Sequence, residues 1–214
     1  MEQESGIIRQ RQSECGSLTP RTAEVYRYLG YAGVLEKGTI EEPVEEAVAA
    51  AVLELGAVAW PQAVYTEYPV RQENGSWELG FCRTDSRDIG RRLEGCERIV
   101  LFAATIGSVA DRLIQRAARK SALLGATFQA AGAMYIEVFC DQLNAEINEE
   151  LEQRGYQARP RFSPGYGDFP LEVQKDIFRV LPCAQRIGLT LRDTLVMAPS
   201  KSVTAVIGYQ RRKA

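Results

Sequence analysis

The amino-acid sequence predicts an α+β fold: a single domain with a mainly antiparallel, twisted sheet packed by long helices. Three observations carry this expectation. Asn74-Gly75 lies between two β-prone runs, the apolar run ERIVLFAAT spans residues 97–105, and a helical pattern continues from Gly107 to Gly155. The order is helices, a hairpin, a strand, long helices and then strands again, which suits one antiparallel sheet.

Residues 1–19 are polar and lack a periodic apolar signal, so they are expected as a flexible tail or a docking arm ahead of a domain over 20–214. In TPRTAEVYRYLGY, Thr19 is a candidate N-cap and Pro20 a first helical residue. Val25, Tyr28 and Leu29 share a face, and Gly30 can stop the helix. A second helix is expected from Glu42 to Leu55, with Val44, Val48, Val52 and Leu55 on one side and Gly56 then Pro61 closing it. Asn74-Gly75 favours a two-residue hairpin turn because both residues tolerate positive φ, and Pro69 suits an edge strand. ERIVLFAAT reads as a buried strand.

SVADRLIQRAARK is an amphipathic helix leading into a longer one. The small residues Ala126, Ala130, Ala131, Gly132 and Ala133 allow close packing near its start. LEVQKDIFRVL reads as a short helix starting near Pro170, with Asp168 or Phe169 in the cap region. DTLVMAPSKSVTAVIG reads as two strands around a turn at Pro199.

Composition narrows the function. The chain has 214 residues, 45% hydrophobic and 25% charged, with a formal net charge of −2. That balance argues against a nucleic-acid or anionic-membrane surface. No continuous apolar run suggests a bilayer crossing, and MEQESGIIRQRQSECG carries no apolar signal core, so a cytoplasmic location is expected. The five cysteines are scattered and never spaced as CxxC, which disfavours a disulfide framework or a structural zinc site; no metal is expected. Cys140 reads as a small buried hydrophobe. There is no histidine. Ser-His-Asp and Cys-His catalysis within the chain are therefore excluded, and any chemistry here should need little proton transfer.

The segment RFSPGYGDFP, residues 161–170, opens on an arginine and spends four residues on Pro and Gly. Its Arg161-x3-Gly165-Tyr166 pattern, with Pro170 and Lys175 following, resembles the signature loop of the reactivation domain of cobalamin-dependent methionine synthase. Gly188 and Leu191 in IGLTL, then Pro199, Ser202 and Val203 in APSKSV, are similar to later parts of that domain, as is the helix around AMYIEVFCD. SPGYGDFPLEVQ, RYLGY, LFAATIG and PSKSVTAVIG resemble free-standing relatives of it. Gly167-Asp168-Phe169 stands where the family has Pro-Ala-Cys. The similarity spans most of residues 20–210.

The resemblance implies a methionine synthase activation-type domain of methionine biosynthesis that binds S-adenosylmethionine. It would support reductive methylation of cobalamin held on a separate methionine synthase or corrinoid protein, with a flavodoxin-type electron donor. The chain itself would supply no catalytic residue. Methyl transfer from a sulfonium to a reduced cobalt moves no proton, which suits a chain without histidine. The alternative is a non-catalytic module of the same fold that docks on a corrinoid protein without binding S-adenosylmethionine.

Under the first reading Arg161 holds the ligand carboxylate in a bidentate fork; under a structural reading it forms a salt bridge. Gly165 and Gly167 either let backbone N–H groups approach a ligand or close a tight turn, and Pro164 stiffens the loop. Tyr166 either faces the sulfonium or adenine or packs in the core. Glu137 either meets the ligand ammonium or joins Asp141, Asn144 and Asn148 in a solvated stripe. Asp168 is either an ammonium contact or, preferentially, a helix cap. Lys201 and Ser202 sit on a turn that either faces the same cleft or is only a turn.

Overall fold

A computed structural model of the chain describes residues 7–31 and 40–212, so residues 1–6 of the expected tail and residues 213–214 lie outside the described residues. The chain begins with β1 (Arg9–Gln12), α1 (Thr22–Tyr28), α2 (Glu42–Val58), β2 (Gln62–Pro69) and the short strands β3 (Arg71–Glu73), β4 (Ser76–Glu78) and β5 (Arg83–Thr84). It continues through α3 (Arg87–Leu93), β6 (Arg98–Thr105), α4 (Ser108–Lys120), α5 (Ala122–Gln153) and β7 (Tyr156–Ala158). It ends with α6 (Val173–Val180), α7 (Cys183–Ile187), β8 (Thr190–Leu191), β9 (Met197–Ala198) and β10 (Ser202–Arg211).

Five strands form one sheet in the order β1-β2-β6-β10-β7, and every ladder in it is antiparallel. The alternation of side chains along a strand sends neighbours to opposite faces. Val100, Phe102 and Ala104 of β6 join a core with α1, α2, α4 and α5, while Ile99, Leu101 and Ala103 join a second core with α3, α6 and α7. This double burial explains why ERIVLFAAT is apolar without alternation. The expected α+β class and antiparallel sheet hold.

Several expectations require correction. Residues 9–12 follow the docking-arm alternative and not the flexible tail: they pair with β2 from Arg9↔Tyr65 to Gln12↔Gln62. All four side chains of β1 are exposed, and ladder bonds plus ion pairs from Arg9 to Glu150 and Arg11 to Glu146 hold it. No apolar pattern could have marked it. A charged edge strand of this kind also discourages pairing with another chain. Pro69 lies in β2, second from the edge, but past the reach of β1, so its missing N–H interrupts no ladder.

Helix α1 starts at Thr22 behind Arg21, and neither Thr19 nor Pro20 begins it. Gly56 lies inside α2 rather than ending it. A Cβ there would come within 2.4 Å of the Tyr135 hydroxyl, which donates to the Val52 carbonyl at 2.8 Å. The glycine makes room for a helix–helix contact. Strands β9 and β10 do not pair with each other; β9 pairs with β8 instead. Asn74-Gly75 turns between β3 and β4 with φ of 53° and 85°, as expected.

Helix α5 has 32 residues and is long and apolar enough by length and composition to cross a membrane, although 67% of its most apolar window is buried in the fold. The small residues near its start allow close approach: a Cβ on Gly125 would meet Ala118 of α4 at 3.0 Å. Cys140 is fully buried in this helix, and burial pushes its thiol up to about 12.

Where β2, α5 and β10 meet, Glu67 accepts two bonds from Arg154, at 2.7 and 3.0 Å, and one from the Tyr209 hydroxyl. Burial alone would raise this carboxyl, but the Arg154 and Tyr209 hydrogen bonds and the nearby arginine charges outweigh it and hold the pKa below the ordinary value. A lowered folded-state pKa stabilises the native state fully above the unfolded value of about 4.3. That contribution is lost as pH falls through the folded value. Urea denaturation between neutral and acidic pH is expected to show this loss, and Glu67→Gln should flatten that part of the acid limb.

Candidate functional site

The helical repeat places Glu137 and Asp141 one turn apart on the same face of α5. Their carboxylates meet a single guanidinium. Arg161 donates to Asp141 Oδ1 at 2.8 Å and to Glu137 Oε2 at 2.6 Å. Its backbone is fixed by its neighbour, because Phe162 exchanges two 2.9 Å bonds with Val206 of β10. The loop thus leaves β7, runs along the sheet, and turns the arginine toward α5.

Asp141 carries a second partner, Arg21, at 2.5 Å. Burial would raise the Asp141 carboxyl, but the bonds from Arg161 and Arg21 outweigh it and the pKa is lowered. Beside this cluster is a cleft of about 190 Å3, walled by Arg21, Glu24 and Tyr28 on one side and by Met134, Glu137 and Asp141 on the other. Tyr28 is 41% exposed, with the Arg27 guanidinium 4.7 Å from its ring centroid. Arg161 is side-chain bonded to two residues of the cleft wall. The opening presents the Arg21 and Arg27 guanidiniums, carboxylates and an aromatic ring, a set that can take a zwitterion with an attached cation. Arg161 stands behind the carboxylates and does not itself line the cleft.

Of the residues singled out in the sequence, Arg161 and Glu137 are brought together. Glu137 is also 43% exposed along its side chain, so the solvated stripe and the arginine contact coexist. Pro164 is buried, but none of Pro164, Gly165, Tyr166 and Gly167 lines the cleft. Tyr166 is 67% exposed, so it is neither a core aromatic nor a cleft wall. The loop's own bonds close it: Gly165 N–H donates to Phe169 O at 2.8 Å and Phe169 N–H donates to Tyr166 O at 3.1 Å.

The expected helix start near Pro170 also moves. Helix α6 begins at Val173, and Pro170–Glu172 form turns in front of it. Asp168 therefore caps no residue of α6. It caps α3, 80 residues earlier in the chain, accepting from Arg87 N–H at 2.9 Å and Asp88 N–H at 3.0 Å. Its preference for capping was legible; the helix it serves was not.

Lys201 and Ser202 are away from the cleft. The Lys201 stem packs over Gly132, where a Cβ would meet its Cε at 3.0 Å, and burial lowers its pKa against the pull of Asp111. The Ser202 hydroxyl donates to Pro199 O at 2.8 Å. Sequence reasoning missed Arg21 and Tyr28. The available signal was spacing: Arg21 and Tyr28 stand four residues before and three after Val25, so the three share one side of α1.

No protein-family model matches the chain, and no curated protein matches it. Among solved structures it is similar to the MetH reactivation domain bound to AdoHcy, with a TM-score of 0.69 and 17% sequence identity. The match covers 99% of this chain and 81% of that one. This likeness shows the fold, which is the one that the residues around Arg161 led us to expect.

Proposed function

We propose that the chain is a reactivation-type subunit that binds S-adenosylmethionine and supports reductive methylation of cobalamin on a separate methionine synthase or related corrinoid protein. The observation that carries this is the Arg161 fork seated against Glu137 and Asp141 at the cleft of α1 and α5. It occurs in a fold shared with a domain whose structure holds AdoHcy.

The residues fit the ligand chemically. A ligand carboxylate takes the place of a protein carboxylate at Arg161 or Arg21, and the ligand ammonium takes the freed carboxylate of Glu137 or Asp141. This exchange leaves no charge unpaired, so it avoids the main cost of opening a half-buried ion cluster. Tyr28 offers a ring face to the sulfonium. When bound, S-adenosylmethionine supplies an activated methyl group. The chain's task is to hold and orient it for a corrinoid carried elsewhere, and no proton has to be moved. A flavodoxin-type protein is the electron donor in this scheme, and the cytoplasm its setting.

Calorimetric titration of the purified protein with S-adenosylmethionine tests the reading. A micromolar Kd is expected. No heat from folded protein, alone and again with a corrinoid protein present, would sink it. One observation favours the second reading, a docking module that binds no S-adenosylmethionine: both terminal nitrogens of Arg161 already have carboxylate partners. Binding to a corrinoid protein with no affinity for S-adenosylmethionine would select that alternative.

A further inference from the structure

We propose that Asp168 and Asp88 form a reciprocal carboxylate clasp that fixes the 161–169 loop against the start of α3, and that Asp168 is thereby a positioning residue for Arg161. This rests on the S-adenosylmethionine reading above.

Three contacts run from loop to helix. Asp168 Oδ1 accepts from the Ser86 hydroxyl at 2.5 Å and from Asp88 N–H at 3.0 Å, while Oδ2 accepts from Arg87 N–H at 2.9 Å. Ser86 in turn accepts from Ile89 N–H at 3.2 Å. The first N–H groups of α3 are otherwise without helical partners, so the loop's aspartate completes the helix. These donors hold the Asp168 carboxyl down at about 2, which keeps it ionised at neutral pH.

Two contacts run back. Asp88 Oδ2 accepts from Asp168 N–H at 3.1 Å. It also fills the space beside Gly167: a Cβ there would lie 1.9 Å from Asp88 Oδ2, at a φ of 56° that L side chains rarely adopt. Gly167 is thus bare to admit a carboxylate of its own chain.

The helix grips the other end of the loop as well. The Arg92 guanidinium lies 4.4 Å from the Phe162 ring centroid, and that ring stacks on Phe169 at 6.1 Å. Phe162 adjoins Arg161. Helix α3 therefore holds the loop at Phe162 and again at Gly167-Asp168. The Phe162–Val206 bonds still hold the backbone beside Arg161, so releasing the Asp168 end loosens the Phe169 stack on Phe162 and with it the orientation of the Arg161 side chain. Ligand affinity then falls with the fraction of time spent in the competent arrangement.

The test compares wild type with Asp168→Ala, Asp88→Ala, the double variant and Asp168→Asn. Each is titrated with S-adenosylmethionine, and amide hydrogen exchange over residues 161–169 is followed without ligand. Asp168→Ala is expected to weaken binding about tenfold and to speed exchange in the loop. Asp88→Ala should do likewise, and the double variant should lose little more, because the two residues act as one unit. Asp168→Asn keeps one acceptor oxygen and should fold and recover part of the affinity. Unchanged affinity in Asp168→Ala and Asp168→Asn would overturn the positioning role, whatever happens to stability. If wild type itself binds no S-adenosylmethionine, the functional reading fails by that result. Exchange then decides the clasp alone: unchanged protection over 161–169 in the variants overturns it, and lost protection sustains it.

Discussion

Arg161→Ala is expected to abolish most S-adenosylmethionine binding while leaving the protein folded. Removing a guanidinium that makes two charge-assisted hydrogen bonds to a carboxylate costs about 2–4 kcal/mol of binding, or roughly 30- to 1,000-fold in Kd. The effect on stability should be far smaller. Glu137 and Asp141 are 43% and 38% exposed along their side chains, so both can be rehydrated, and Asp141 keeps Arg21. Pairs this exposed contribute roughly 0–1 kcal/mol. Calorimetry and thermal unfolding on the same sample separate the two effects. Arg161→Lys should fall between wild type and alanine, because it keeps the charge and loses the fork. Wild-type affinity in Arg161→Ala would remove Arg161 from the ligand site.

Phe102→Ala is expected to be the most damaging single truncation in the sheet. Phe102 is fully buried in β6, between β2 and β10, and faces the core shared with α5. Truncating a buried phenylalanine costs about 3–5 kcal/mol, a large share of the roughly 5–15 kcal/mol that holds a domain of ordinary stability. Its neighbour Leu101 faces the other core and is equally buried. Leu101→Ala should cost about 2–5 kcal/mol. Both variants should shift one common unfolding transition in urea, since a single strand forms the floor of both cores. Two separate transitions, each moved by only one variant, would contradict that coupling.

Features built from sequence neighbours were legible. The Asn74-Gly75 turn depends on two adjacent residues that tolerate positive φ, and the helical stretch from Gly107 to Gly155 depends on a repeat of three to four residues. The buried strand ERIVLFAAT declared itself through composition alone. The Arg161 loop was recognisable as a motif because its marked residues fall within six positions. Burial of Cys140 followed from its apolar neighbours.

Other features depend on residues far apart in the chain, and no local pattern encodes them. Strand β1 is polar throughout, and it belongs to the sheet only because β2 offers a free edge and α5 offers carboxylates. Gly56 looked like a helix stop because glycine is a common one; Tyr135, 79 positions on, is what requires it. Asp168 had the right chemistry for a cap but serves α3 instead of α6. Thus the sequence by itself determined the fold class, the main helices, the central strand and the identity of Arg161 and Glu137 as candidates. Only the tertiary structure decided that these two side chains meet, that Arg21 and Tyr28 share their cleft, and that the loop's glycine accommodates Asp88. Secondary structure arises from periodicity within a few residues, whereas charge pairing and close packing arise only when the fold brings distant side chains within a few ångströms.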